Sequence, residues 1–319
     1  MNARTIDVTD LVTRARAGEA RSVARLITLV EDESEHLRQV SAALAPLVGR
    51  AHVIGLTGSP GVGKSTTTSA LVTEFRARGR RVGVLAVDPT SPFSGGALLG
   101  DRIRMQEHAT DPDVFIRSMA SRGHLGGLSW ATPQAIRVLD AAGCDVVLLE
   151  TVGVGQSEVE VAGLADTTVV LLAPGMGDGI QAAKAGILEI GDVFCVNKAD
   201  RDGATTTRRE LRTMLSMSSR EDGWKPPIDL TVASEGRGIA ELVDDLEAHA
   251  RHLRQTGQLE RRRTARLRRE IQSIALDQVR RRFVLDGGEE LDELAARAQA
   301  GEIDPFAAAD ELLRRASDT

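Results

Sequence analysis

Hydrophobic positions change their spacing twice along this 319-residue chain. Over residues 1–49 they recur every three or four residues: Val23, Leu26, Ile27 and Val30 make one stripe, and Leu37, Val40, Leu44 and Leu47 another. That is the period of helices burying one face. Helices are predicted over 5–17, over 20–30 and up to about Leu47, with Gly18 separating the first two. From Val53 the pattern becomes short apolar runs at 53–56, 82–87, 114–116, 146–149, 168–172, 193–196 and 228–232, separated by helix-compatible stretches. Several runs are apolar without alternation, as parallel strands buried on both faces are. The fold class expected is α/β, with a doubly wound, mostly parallel sheet and ligands beyond the carboxyl ends of its strands. Beyond Ile239 the pattern is helical to the end. Leu242, Leu246 and Leu253 mark one helix, and Leu267, Ile271, Ile274 and Val279, interrupted by Gln278, mark an amphipathic one with a charged outer face. Asp286-Gly287-Gly288 ends it, and Asp304-Pro305 opens a last helix over 306–315. Three parts follow: an N-terminal helical extension (1–49), an α/β domain (50–250) and a C-terminal helical arm (251–319). The arm is too small for a large core of its own and is expected to fold on the α/β domain or on a second copy.

Composition narrows the class. Apolar residues are 42% and charged residues 27%, the balance of a globular protein with a sizeable core. The net charge of -6 and an aromatic content of 3%, with no tyrosine, argue against a nucleic-acid partner, since positive field and stacking surface are both lacking. The basic run from Arg261 to Arg269 therefore reads as a solvated helix face. Cys144 and Cys195 lie in or beside apolar runs and are expected to be buried thiols. Met1 to Asp10 has no apolar signal core and no run reaches bilayer length, so a cytoplasmic location without membrane association is expected.

The chemistry-bearing residues gather at strand ends. Gly58-Ser59-Pro60-Gly61-Val62-Gly63-Lys64-Ser65-Thr66 has G-x-x-x-x-G-K-[ST] spacing between an apolar run and a helix-compatible one. A plain glycine turn shares the composition but not that spacing with those flanks. Glycines let the backbone wrap a phosphate, and successive N–H groups and the helix N-terminus then face the anion. Lys64 is expected to reach the β/γ oxygens as the catalytic cation, with the Ser65 hydroxyl on Mg²⁺. Asp88 ends the second apolar run and opens an irregular stretch to Asp101. Both carboxylates are candidates for direct or water-mediated contact to Mg²⁺, a hard cation that takes oxygen ligands; a turn or cap role is the alternative. Arg102, Arg104 and the basic, glycine-rich stretch 117–128 can close over a nucleotide or meet a partner, and His124 reads as a loop histidine.

Glu150-Thr151-Val152-Gly153-Val154-Gly155-Gln156 follows the fourth apolar run. A strand-end carboxylate with a glycine three residues on resembles the magnesium and γ-phosphate element of nucleotide switches, with the Gly153 N–H offered to the γ-phosphate. Val154 stands where small GTPases carry a water-orienting glutamine, so slow intrinsic hydrolysis is predicted. The water is left to Gln156, Asp101, a main-chain group or a partner in trans. The glycine-rich stretch 175–184 reads equally as a mobile element or a plain connector. Asn197-Lys198-Ala199-Asp200 is an N-K-x-D element at a strand end. The Asp200 carboxylate can accept from the guanine ring N–H and 2-amino group together, a donor pair adenine lacks. Asn197 is expected to brace the loop, Lys198 to cover the base, and the backbone of Val232, Ala233 and Ser234 to meet the guanine carbonyl. The bound species expected are GTP/GDP and Mg²⁺.

Gly55 to Thr66, Asp88 to Pro92, Gly100 to Met105, Glu150 to Glu158 and Asn197 to Asp200 together resemble the MeaB/ArgK family of P-loop GTPases. The resemblance covers nearly the whole chain, and the long strand-end strings are more specific than the phosphate loop. It implies a homodimeric GTPase chaperone, joined largely through the C-terminal arm. The resemblance also implies an adenosylcobalamin-dependent acyl-CoA mutase as partner, above all methylmalonyl-CoA mutase, whose cofactor loading such a chaperone gates and which it protects from inactivation. Magnesium roles map to Ser65, Asp88, Asp101 and Glu150, and guanine roles to Asn197, Lys198 and Asp200. Two departures stand out: Thr231-Val232-Ala233-Ser234 replaces the usual Ser-Ala pair, and Gly179 sits where a bulkier residue is expected. Competing readings are a P-loop kinase acting on a transport protein, which Asp200 disfavours, and a metallochaperone GTPase for nickel or cobalt. The latter calls for a Cys/His cluster, whereas the cysteines lie in or beside strands and His249 and His252 are expected on an exposed helix face.

Overall fold

Seven parallel strands form one sheet in the order β3-β2-β4-β1-β5-β6-β7. They are β1 (His52–Thr57), β2 (Val82–Asp88), β3 (Val114–Ala120), β4 (Val146–Thr151), β5 (Thr167–Leu172), β6 (Val193–Val196) and β7 (Ile228–Leu230). The computed structural model describes residues 6–88, 105–120, 131–151, 157–175, 188–217, 222–286 and 288–317. The order reverses direction on either side of β1, as a doubly wound sheet requires. β1 and β5 are buried at every position, which explains why their apolar residues do not alternate.

Each face has its own apolar cover. On one side α4 (Lys64–Ala77) and α8 (Ile239–Gln255) pack Leu71, Phe75, Leu242 and Leu246 against Ile54, Leu148 and Leu171. On the other, α5 (Thr132–Ala141) and the N-terminal helices α1 (Val8–Arg16), α2 (Ala20–Glu31) and α3 (Leu37–Leu44) share one buried cluster with Val53, Leu85 and Leu149. Farther along that side, α7 (Ala204–Ser216) covers Phe194 and Val196. A helix α6 (Ser157–Leu164) approaches β1 so closely that a Cβ on Gly55 would stand 2.3 Å from Val161. The entry into β1 is fixed by Asp140, whose Oδ1 accepts the N–H groups of Arg50 at 3.2 Å and Ala51 at 3.0 Å.

Three local differences from the sequence reading have physical causes. The third helix stops at Leu44 and tightens into a 3₁₀ turn, Ala45–Leu47, around Pro46, which has no N–H to donate. β3 continues to Ala120, four residues past its apolar run, because its polar Arg117 pairs with Glu31 and reaches Thr28 Oγ1 of α2 at 3.2 Å. That pairing gives Arg117 a structural partner in place of the nucleotide or protein partner considered for it. β7 ends at Leu230 because the chain turns back through a Val232–Arg237 bridge.

His249 is fully buried, which corrects the expectation of an exposed helix face. Its Nδ1 lies 2.8 Å from Thr167 Oγ1, which lies 2.7 Å from His52 Nε2, and its Nε2 lies 3.5 Å from Asp192 Oδ1. Trp224 packs on both His249 and His252 and donates its indole N–H to Asp192 O at 2.7 Å. This polar chain runs along the amino-terminal edge of the sheet, at the opposite end of β1 from its carboxyl terminus.

The chain divides into two compact units, Met1–Glu260 and Arg261–Thr319. The second holds most of α9 (Gln258–Asp286) together with α10 (Gly288–Gln299) and α11 (Pro305–Ser317). Asp304 caps α11 by accepting the N–H groups of Phe306 at 2.9 Å and Ala307 at 3.1 Å. Leu294 is buried between helices, and Arg297 and Arg315 share Glu311. Leu267, Ile271, Ile274 and Val279 of α9 are 43–66% exposed and Phe306 is 85% exposed. Among the described residues no helix is long and apolar enough to cross a membrane.

Candidate functional site

The chain leaves β1 at Thr57 and enters a loop shaped by three glycines with positive φ. Gly58 passes the backbone of β5 so closely that a Cβ would stand 2.3 Å from Leu171 O; Gly61 and Gly63 take φ of +82° and +96°. Only glycine tolerates this combination of conformation and approach. The loop then becomes α4, with Gly63 as its N-cap and no side chain capping its first turn. A helix N-terminus left in that form presents N–H groups to an anion.

The buried Lys64 donates its ammonium to Gly58 O at 2.7 Å and Ser59 O at 3.3 Å. Ser65 Oγ donates to Glu150 Oε1 at 2.6 Å, and both residues are buried. Glu150 pairs in register with Leu56, two residues before the loop. A hydroxyl and a carboxylate so apposed are the hard oxygen donors that Mg²⁺ takes. On β2, Ala86 pairs with Glu150, so the Asp88 backbone falls two residues beyond that level. The Asp88 side chain and the residues Asp101, Gly153, Val154 and Gln156 lie outside the described residues, as does Gly179.

The N-K-x-D element sits at the end of β6 and reaches back to the phosphate loop. Asn197, 3% exposed, donates from Nδ2 to Val62 O at 2.9 Å, and its Oδ1 accepts the Ala233 N–H at 3.1 Å and the Thr231 hydroxyl at 3.2 Å. One amide thereby ties three segments together. A Cβ on Gly63 would stand 2.4 Å from that Nδ2. Lys198 takes a left-handed conformation, φ +57°, and its ammonium donates to Gly61 O at 2.7 Å. Asp200 lies exposed in the turn that follows. In the last loop the Val232 N–H donates to Arg237 O at 3.0 Å, while Ser234 is exposed.

The sequence reading missed one wall of the site. The turn Gln106–His108 lies against α4: Ser69 Oγ donates to Glu107 Oε1 and lies 2.9 Å from His108 Nε2. These residues are 38 and 39 positions apart and form no motif, so only the fold brings them together. Among the described residues, no group of three or more His, Cys, Asp or Glu side chains is placed to hold a metal ion.

A phosphate loop on a parallel sheet, tied to an N-K-x-D element beside it, defines the class of P-loop GTPases. The model of the family described as methylmalonyl-CoA mutase-associated GTPase MeaB matches residues 23–287. The GTPase ArgK of Escherichia coli is 41% identical over 241 residues, 72% of each chain. The methylmalonic aciduria type A homolog of Caenorhabditis elegans is 33% identical over 331 aligned positions, covering 97% of this chain and 82% of that one. A crystal structure described as a LAO/AO transport system kinase shares the fold with a TM-score of 0.73 and 28% identity, over 98% of both chains. The chain belongs to the MeaB family and is a GTPase.

Proposed function

We propose that this protein is a GTP-driven chaperone of an adenosylcobalamin-dependent acyl-CoA mutase, most directly methylmalonyl-CoA mutase, and that it gates cofactor loading and protects the mutase from inactivation. The mutase association in its family's description and the aciduria name of its nematode relative support this reading. The observation that carries the nucleotide half is Asn197, which joins the phosphate loop at Val62 to the base loop at Ala233. In this reading Gly58 to Thr66 cradle the phosphates, Lys64 contacts the β/γ oxygens, and Asp200 selects guanine. The Ser234 N–H takes the base carbonyl, because the N–H groups of Val232 and Ala233 already have protein acceptors. Ser65 and Glu150 fit Mg²⁺ by the chemistry of their oxygens, joined by Asp88 and Asp101. When bound, Mg²⁺ would supply neutralisation of the phosphate charge. The Gly153 N–H is assigned to the γ-phosphate, and Gln156 is one candidate, beside Asp101, a main-chain group or a partner, for orienting the attacking water. The three parts of the chain act as a helical extension, a GTPase domain and an arm that meets a second copy.

A pull-down with candidate mutases, loaded with GDP or a non-hydrolysable GTP analogue, tests the chaperone half. Capture of a cobalamin-dependent mutase that changes between the two nucleotides is the expected result; no capture in either state refutes it. A kinase reading is favoured only by the description of the 28%-identical solved structure. Transfer of labelled γ-phosphate to a protein rather than to water would replace the chaperone reading.

A further inference from the structure

Beside α4 lies a cavity of about 520 Å³. Ser65 and Thr66 of the phosphate loop line it, as do Ala233 and Ser234 of the base loop. Ser69, Ala70, Thr73 and Glu74 continue the wall along α4, and Glu107 faces them from the turn Gln106–His108. In the reading above, a nucleotide's phosphates and base belong to two of these segments. The sugar connects them, and the remaining wall carries a carboxylate.

We propose that Glu107 reads the ribose of the bound guanine nucleotide by accepting hydrogen bonds from its 2′ and 3′ hydroxyls. The proposal rests on the guanine-nucleotide reading and adds a specificity residue to it. A carboxylate is acceptor-only and has two oxygens, so it complements a vicinal diol that brings two donors. The same pairing recognises ribose in dinucleotide-binding folds. Glu107 is held for the task on one side only. Ser69, 7% exposed, donates to its Oε1, and the Ser69 hydroxyl is itself braced at 2.9 Å by His108 Nε2. The Glu107 side chain as a whole is 65% exposed. Glu74, the other carboxylate lining the cavity, is engaged by Arg78 at 2.8 Å. A carboxylate would repel a phosphate placed against it, so a neutral diol suits this wall and the anionic groups suit the Ser65 end.

Calorimetric titration of unlabelled GDP, 2′-deoxy-GDP and 3′-deoxy-GDP tests this, with ribose-labelled fluorophores avoided. The full-length chain is expected to prefer GDP over 2′-deoxy-GDP by about tenfold, the scale of one hydrogen bond to a charged group. Glu107→Ala and Glu107→Gln are expected to bring that ratio toward one while 2′-deoxy-GDP affinity stays within about twofold. Ser69→Ala, which removes the tether and keeps the carboxylate, is expected to fall between. Tight GDP binding with an unchanged ratio in both Glu107 variants overturns the ribose assignment and leaves the GTPase reading intact. Failure of the wild-type chain to bind GDP overturns both.

Discussion

At the scale of single residues, Asn197 has the most consequences. Asn197→Ala removes hydrogen bonds to Val62 O, Ala233 N and Thr231 Oγ1 in a buried setting. Leaving such groups unsatisfied costs about 1–3 kcal/mol, so GDP affinity measured by titration should fall by roughly one to two orders of magnitude. A fall of less than twofold would mean the loops hold their shape without it. Asp200→Asn exchanges an acceptor pair for one acceptor and one donor, which matches xanthine rather than guanine. Competition binding should show the variant preferring XDP to GDP; retained guanine preference would show that the base is read elsewhere. Burial pushes the Cys144 and Cys195 thiols up to about 12, so neither should react with a thiol reagent in the folded chain at pH 8. The placement of Lys64, Ser65 and Asn197 around one loop was legible because each belongs to a recognised spacing at a strand end. The turn carrying Glu107, which we propose reads the ribose, was not legible, because its partner Ser69 lies 38 residues away on an element with an unrelated signal.

At the scale of elements, the strands were legible from their apolar runs, since a strand covered on both faces has no polar positions to interrupt it. The errors fell where a polar residue had a distant partner. Arg117 concealed the second half of β3 until Glu31 of α2 was placed beside it. His249 looked like a surface residue because its partners, Thr167 at the start of β5 and Asp192 in the turn just before β6, meet the helix only in three dimensions. The contact between β7 and α8 carries a pH prediction. Burial, then the Asp245 and Glu241 carboxylates, push Asp229 up to about 7. The folded chain therefore keeps a proton that the unfolded chain releases near pH 4. Between about pH 4 and pH 7 this group makes folding less favourable as pH rises. Asp229→Asn should raise the melting temperature more at pH 8 than at pH 5. Equal gains at the two values would show that the carboxyl is not the source.

At the scale of the whole molecule, the doubly wound sheet and the flanking helices were legible, because the change of hydrophobic period marks where each begins. The fate of the last helices was less so, since a helical stripe says that something covers it and not what. Leu267, Ile271 and Ile274 remain exposed on α9, and a second copy is the proposed cover. Light scattering should give a dimer mass for the wild-type chain, and Leu267→Asp with Ile271→Asp should give a monomer that still binds GDP. A wild-type monomer across micromolar concentrations would remove the dimer from the proposal.

Because one amide grips Val62 and Ala233 at once, a mismatched base should not merely bind less well. By displacing the base loop it should slacken the hold on its own phosphates, so the two halves of the nucleotide verify each other. Guanosine and pyrophosphate offered as separate fragments should each raise the other's affinity. The chain would then register a complete nucleotide as a single event instead of adding up two partial ones.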